Sequence, residues 1–321
     1  MIFKHQLPII MIVGAGNIGK WHIQSISTLK YLCKIFIIDS NEKNLLYSKN
    51  FFNRNSINIK NVFFLKNIPK VDKKIDVLII ATKSDNRALV LEKVLKNNLV
   101  KSIILEKIVA CRHSDIYKIK KLINFYKITN VYVNCPRRLF PFYIKLKKII
   151  NNNNINMEVS GVNWNSTSNL IHFLDLFSFL SGLKSLKLVS LLFHKKKQIK
   201  NKFIYYSGEY IFSSTNFFLK ITDKLVKNKK VDVKVLIKGK KINYTILETK
   251  KLYINNITNR HFKFNLINQS KLTSKIVRSL LNNKKVGLIK FIDSINHHKI
   301  IIEILETYLK KNRINKKYFI T

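Results

Sequence analysis

The chain opens on a regular exchange between short apolar runs and stretches of helical spacing. Ile9–Val13 is an apolar run that leads straight into glycines, the pattern of a buried strand. From 17 to 29, Ile18, Trp21, Ser25 and Leu29 recur at helical spacing. Lys34–Ile38 reads as a second strand ending at Asp39, 41–51 as a helix, 62–65 as a short strand and 75–81 as a strong central strand. Residues 84–95 are amphipathic, with Leu89, Val90 and Val94 on one side, and 102–105 form a fifth strand. This alternation predicts a doubly wound parallel sheet. A helix over 112–126 and a strand over 131–134 follow, and then the pattern changes. A helix is predicted over 170–180, alternating strands over 186–254, and two helices over 270–281 and 288–309. A hairpin is expected at 235–242 with Gly239 in the turn, and the asparagine run 151–154 as a loop. The fold class expected is α/β for residues 1–127, followed by an α+β domain, 128–321, with a mostly antiparallel sheet.

Composition changes that picture little. The 321 residues suggest about two domains. No stretch reaches the roughly 18 apolar residues of a membrane span, and the N-terminus lacks the layout of a signal peptide. The three cysteines, Cys33, Cys111 and Cys135, form no CxxC pair, which argues against a zinc site or a disulfide scaffold and for a reducing, cytoplasmic setting. No metal is expected. The net charge of +43 at first points to nucleic acid. However, only eight of the 60 basic residues are arginines, and the lysines spread along the whole chain. Lys, Asn, Ile, Phe and Tyr abound while Gly and Pro are scarce, the imprint of A/T-rich codons. Specific nucleic acid and membrane partners are therefore not expected.

The firmest motif is Gly14-Ala15-Gly16-Asn17-Ile18-Gly19, which follows an apolar strand and opens a helix. Gly14 permits a tight turn, Gly16 lets the backbone approach a pyrophosphate, and Gly19 allows close helix–strand contact. Asp39 lies at the spacing of the carboxylate that accepts hydrogen bonds from an adenosine ribose. The pattern predicts a Rossmann domain binding a nicotinamide dinucleotide, NAD rather than NADP, with Lys43 nearby softening the exclusion of a 2′-phosphate. The alternative to this reading is Asp39 as the cap of the next helix.

The strand-and-loop 77–82, then Leu105-Glu106-Lys107, then Ile171-His172-Phe173-Leu174-Asp175-Leu176, resemble in order and spacing the glucose–fructose oxidoreductase / inositol dehydrogenase (Gfo/Idh/MocA) family over nearly the whole chain. Gln269-Ser270-Lys271-Leu272-Thr273 and the segment around His297 resemble features of its sugar-biosynthesis members. The resemblance implies a Rossmann domain followed by an open-faced mixed sheet that meets substrate and a second subunit, so a homo-oligomer through the C-terminal sheet is expected. It implies an NAD(P)-dependent oxidoreductase acting on a sugar or nucleotide sugar, with a place in surface-glycan biosynthesis.

Carried over by that resemblance, Ala81 and Thr82 lie beside the cofactor with Gly14, Gly16, Asn17, Ile18, Gly19, Asp39 and Glu106. Lys107 sits between nicotinamide and substrate hydroxyl. His172 is the catalytic proton acceptor, and Asp175, one turn on, orients it. Asn134, Arg137 and Arg138 are substrate-side, the arginines suiting an anion, as are Trp164 and Asn169. Three positions depart from the family pattern: Ile108 stands where the motif has proline, Ser168 where aspartate is frequent, and Asn86-Arg87 where a histidine is frequent. These leave fold and cofactor untouched and bear on the reaction. A cofactor-binding but catalytically silent regulator or partner subunit stays open beside the enzyme.

Overall fold

A computed structural model describes residues 7–55, 61–151, 153–200, 202–227, 231–265, 269–314 and 318–320. The chain forms two compact units, Met1–Asn134 with Ile267–Ile292, and Cys135–Leu266 with Asp293–Thr321. The contiguous division expected after residue 127 thus differs in two ways. The first unit runs on through Asn134, and the chain returns to it late.

The first unit is built on strands β1 (Ile9–Val13), β2 (Lys34–Ile38), β3 (Asn61–Leu65), β4 (Ile75–Ile80), β5 (Val100–Leu105) and β6 (Asn130–Val133). They lie parallel in the order β6-β5-β4-β1-β2-β3. All five residues of β1 are buried, as both faces of a doubly wound sheet require. Between the strands run α1 (Asn17–Ser27), α2 (Glu42–Asn55), α3 (Arg87–Asn97) and α4 (His113–Phe125). The returning segment carries α7 (Gln269–Leu281), whose buried Leu272, Ile276, Val277 and Leu280 share one face. It packs on α1, and Ser274 N donates to Ser25 Oγ at 2.8 Å. The helix expected over 288–309 starts later. Ile289–Lys290 is a short strand, β15, antiparallel to β6, and the helix α8 runs over Phe291–Lys311.

The second unit holds an unanticipated 3-10 turn, Pro136–Leu139, and an unanticipated helix, α5 (Pro141–Ile150). Strand β7 (Ile155–Val162), also unanticipated, leads to α6 (Ser166–Ser181). Strands β8 (Lys187–Lys200), β9 (Phe203–Ser214), β10 (Phe217–Lys224), β11 (Val231–Gly239), β12 (Ile242–Leu247), β13 (Leu252–Asn255) and β14 (Arg260–Lys263) complete an eight-stranded sheet, β14-β13-β12-β11-β7-β10-β9-β8. Among the described residues of this sheet, the β7–β10 pair is parallel and the other strand pairs are antiparallel. Along β7, Ile155, Met157 and Val159 are buried while Asn156, Glu158 and Ser160 are exposed, so one face packs under α6 and the other stays open. The hairpin forms where expected, but Lys240 and Lys241 are its turn, while Gly239 closes the ladder opposite Ile242.

Helix α6 begins four residues before the expected start at 170. Its own first turn contains no acidic residue. The cap comes from β10 instead. Asp223 accepts Trp164 N at 3.1 Å and Ser166 N at 2.8 Å, placing a carboxylate at the positive end of the helix.

Candidate functional site

In the first unit, the three glycines of the loop have different reasons to be glycine. Gly14 has φ +99°, and a Cβ there would come within 2.8 Å of the Ala81 carbonyl carbon and Thr82 N. A Cβ on Gly19 would lie 1.9 Å from Gly14 O. Both are demanded by the protein's own backbone. Gly16, the residue before α1, has nothing within 4 Å of such a Cβ. Open space beside the free amides of a helix N-terminus is the shape a pyrophosphate needs. Asn17 and Ile18 are exposed in that first turn, which carries no acidic residue.

Asp39 stands at the end of β2 in two roles at once. Its carboxylate accepts Ala15 N at 2.7 Å, pinning the glycine loop, and Asn41 N at 2.8 Å, starting the turn into α2. It also lines a pocket of about 430 Å³ with Gly14, Thr82, Asn86 and Val90. Lys66, Lys93 and Lys96 line the same pocket. Ala81 and Thr82 lie at the end of β4, where Ala81 N donates to Val13 O at 2.8 Å. The guanidinium of Arg87 is buried beneath them. It donates to the carbonyls of Thr82 and Ile108, and to that of Val109 at 3.1 Å. Burial lowers its pKa to about 10, against the charge of Glu106. Arg87 thus ties the end of β4 to the loop after Lys107.

Glu106 is buried and Lys107 half-buried. His22 on α1 was not singled out by motif, yet its Nε2 lies 2.8 Å from Glu106 Oε1 and its Nδ1 2.8 Å from Thr273 Oγ1 on α7. Asn134 Nδ2 donates to the same Glu106 oxygen. The expected substrate-side role of Asn134 therefore meets a side chain that serves the protein's own carboxylate. Burial would raise the Glu106 pKa, but the bond and charge of His22, the bond of Asn134 and the charge of Lys107 together hold it below the usual range. The one signal for His22 was its place on the buried face of α1, three residues after Gly19.

In the second unit, the two arginines are each spent on a carboxylate. Arg137 Nε lies 3.1 Å from both oxygens of Glu248, which also accepts Tyr143 Oη at 2.8 Å. Arg137 stacks over Phe173 at 4.4 Å. Arg138 grips Asp175 with Nε at 3.0 Å and Nη2 at 2.7 Å. Asp175, expected to orient His172, is thus the counter-ion of Arg138, and neither arginine is an uncompensated receptor for an anion. A buried cation needs such a partner, and the carboxylates supply it. Desolvation still pushes Asp175 up to about 6, with Arg138 acting against it.

His172 is buried on α6. Trp164 donates its Nε1 to Thr222 O at 3.1 Å and meets Phe173 edge-on. Asn169 Nδ2 donates back to Asn165 O at 3.0 Å. Farther along α6, Ser178 Oγ lies 2.8 Å from His297 Nε2, and burial lowers the His297 pKa to about 3. Among the described residues no group of three or more His, Cys, Asp or Glu is placed to hold a metal ion, and no helix is long and apolar enough to cross a membrane. All three cysteines are buried, and none of them forms a disulfide.

Residues 9–134 match the Gfo/Idh/MocA oxidoreductase family, described as having an NAD-binding Rossmann fold. No curated protein matches the chain. Among solved structures, apo scyllo-inositol dehydrogenase from Lactobacillus casei is 15% identical with a TM-score of 0.70, over 95% of this chain and 97% of that one. The UDP-N-acetylglucosamine 3-dehydrogenase of Acidithiobacillus ferrooxidans is 10% identical with a TM-score of 0.70, over 93% and 97%. The transcriptional regulator Gal80p of Kluyveromyces lactis is 15% identical with a TM-score of 0.71, over 95% and 90%. At such identities the likeness is one of fold.

Proposed function

We propose that this chain, whose residues 9–134 carry the NAD-binding Rossmann fold of the Gfo/Idh/MocA oxidoreductases, is an NAD(P)-dependent enzyme acting on the CH–OH group of a sugar or nucleotide sugar. The observation that carries the reading is Gly16. Its neighbours in the motif are glycines for the fold's sake, whereas the space at Gly16 is left for something outside the protein. Two dehydrogenases of inositol and of a nucleotide sugar share the fold, which supports the substrate class. A nicotinamide held there supplies hydride transfer at its C4. The amides of Gly16, Asn17 and Ile18 bind the pyrophosphate, and Asp39 takes the ribose hydroxyls. Lys107 polarises the substrate oxygen, and His172 exchanges the hydroxyl proton. The open face of the second unit's sheet is assigned to a second copy of the chain.

Purified protein incubated with NAD and pools of nucleotide sugars should show a change in nicotinamide absorbance. Lys107→Ala and His172→Ala should each lower the turnover so found by about 10²–10⁴. Near-normal turnover in His172→Ala refutes its role. NAD(H) should bind more tightly than NADP(H) by titration calorimetry. Equal or tighter NADP(H) binding would show that Lys66, Lys93 and Lys96 outweigh Asp39. Gly16→Val should abolish both without unfolding the unit, because it fills open space only.

The second reading is a silent regulator that keeps the cofactor. It draws support from Asn134 and Asp175, whose polar groups are engaged inside the protein, and from the regulator that shares the fold. Tight cofactor binding with no turnover on any sugar pool would select it.

A further inference from the structure

The pocket beside the glycine loop is lined by one carboxylate and three lysines: Asp39 at the end of β2, Lys66 directly after β3, and Lys93 and Lys96 on α3. A phosphate on the adenosine ribose would meet both signs of charge there. Asp39 is held in place by the protein. Its Oδ2 accepts Ala15 N at 2.7 Å and Asn44 Nδ2 at 3.3 Å, and its Oδ1 accepts Asn41 N at 2.8 Å. The cations are the adjustable side of the balance. Among the described residues, Lys66 is the one of the three lysines paired with a carboxylate, that of Glu42 in the first turn of α2. The bond and the charge of Lys66 lower the Glu42 pKa, so the partner is ionised at neutral pH. Both side chains are exposed, Lys66 by 59% and Glu42 by 73%. Glu92, one turn before Lys96, bonds Lys118 instead.

We propose that Glu42 biases the choice between NAD and NADP through Lys66: by pairing with that ammonium it withholds the cation that a ribose 2′-phosphate would otherwise bind. The assignment rests on the dinucleotide reading given above. A 2′-hydroxyl gains little from the ammonium, whereas a 2′-phosphate, with close to two negative charges at neutral pH, gains a charge-assisted bond. The pair lies at the surface, where such pairs are weak, so its hold on Lys66 is modest and a single substitution releases it. Lys93 and Lys96 keep positive charge on the α3 side of the pocket, so NADP is disfavoured rather than excluded.

Titration calorimetry of the full-length chain with NADH and with NADPH gives the ratio of the two affinities without any substrate. Glu42→Gln should move that ratio toward NADPH by about threefold, the order of one exposed charge pair. Lys66→Gln alone should move it less, because the ammonium it removes is already engaged. In the double variant most of the gain caused by Glu42→Gln should vanish, since the cation it releases is gone. The gain should also shrink as salt is raised. A merely structural Glu42, acting on the entry of α2, would change both affinities alike and leave the ratio where it was. An unmoved ratio in Glu42→Gln, or a gain that persists undiminished in the double variant, overturns the proposal. Both side chains are exposed, so the substitutions leave the core of the unit untouched. If NADH binds and the ratio does not respond, this proposal fails alone. If neither dinucleotide binds, the cofactor reading fails and this proposal with it.

Discussion

Two buried carboxylates, one in each unit, are held by opposite means. Asp175 has a full guanidinium gripping both its oxygens, yet its pKa is pushed up to about 6. Glu106 has hydrogen bonds from His22 and Asn134 and the nearby charge of Lys107, and it is held below its usual range. Burial is the largest influence at both sites, and it favours the neutral acid. What differs is the number of independent partners set against it. One salt bridge does not offset full desolvation at Asp175, whereas several donors and charges together do so at Glu106. A short ion-pair distance is thus a poor guide to which carboxylate stabilises its surroundings.

The largest expected effect is at Glu106. Glu106→Leu strands the His22 and Asn134 donors in a dry site and should cost the first unit about 3–5 kcal/mol in urea unfolding, the range for breaking a buried polar pair. Asp175→Asn should cost less, about 1–2 kcal/mol, because the amide oxygen still accepts a hydrogen bond from Arg138 and the charge it removes was already opposed by burial; an equal loss at the two sites would erase the contrast. The smallest effect is on pH dependence, where the two should differ in sign. Asp175, raised from 3.8 to about 6, contributes stability that is fully present below pH 3.8 and is lost as pH rises through about 6. Glu106, lowered from 4.5, contributes stability present above pH 4.5 and lost as pH falls through its depressed value. Each slope is at most about 1.4 kcal/mol per pH unit for one proton. A pH series of unfolding midpoints should show the first slope removed by Asp175→Asn and the second by Glu106→Gln.

The same contrast bears on what could be read in advance. The strands of the first unit and its glycine loop were legible because their signals are local: a buried apolar run, a turn that only glycine permits, and a carboxylate at fixed spacing. His22 passed unremarked because a histidine on the buried face of a helix looks like any core residue until its partners are known. Those partners, Glu106 and Thr273, are 84 and 251 residues away. In the second unit Arg137 and Arg138 suggested an anion site by adjacency. Their counter-ions arrive from α6 and from the end of β12, and that pairing leaves no trace in the run 135–139.

Local chemistry, then, was enough to determine the parallel sheet, the dinucleotide loop, and the broad α+β character of the second half. These follow from periodicity, from backbone conformations open only to glycine, and from short-range caps and turns, all of which act over a few residues. Only the tertiary structure decided that residues 269–292 return to the first unit, that Asp223 starts α6, and that Glu106 and Asp175 receive such different company. Each of those outcomes depends on satisfying a buried polar group, or covering an apolar face, with atoms far away in the chain. Burial creates that demand and folding meets it, so neither can be read at the position where it is felt.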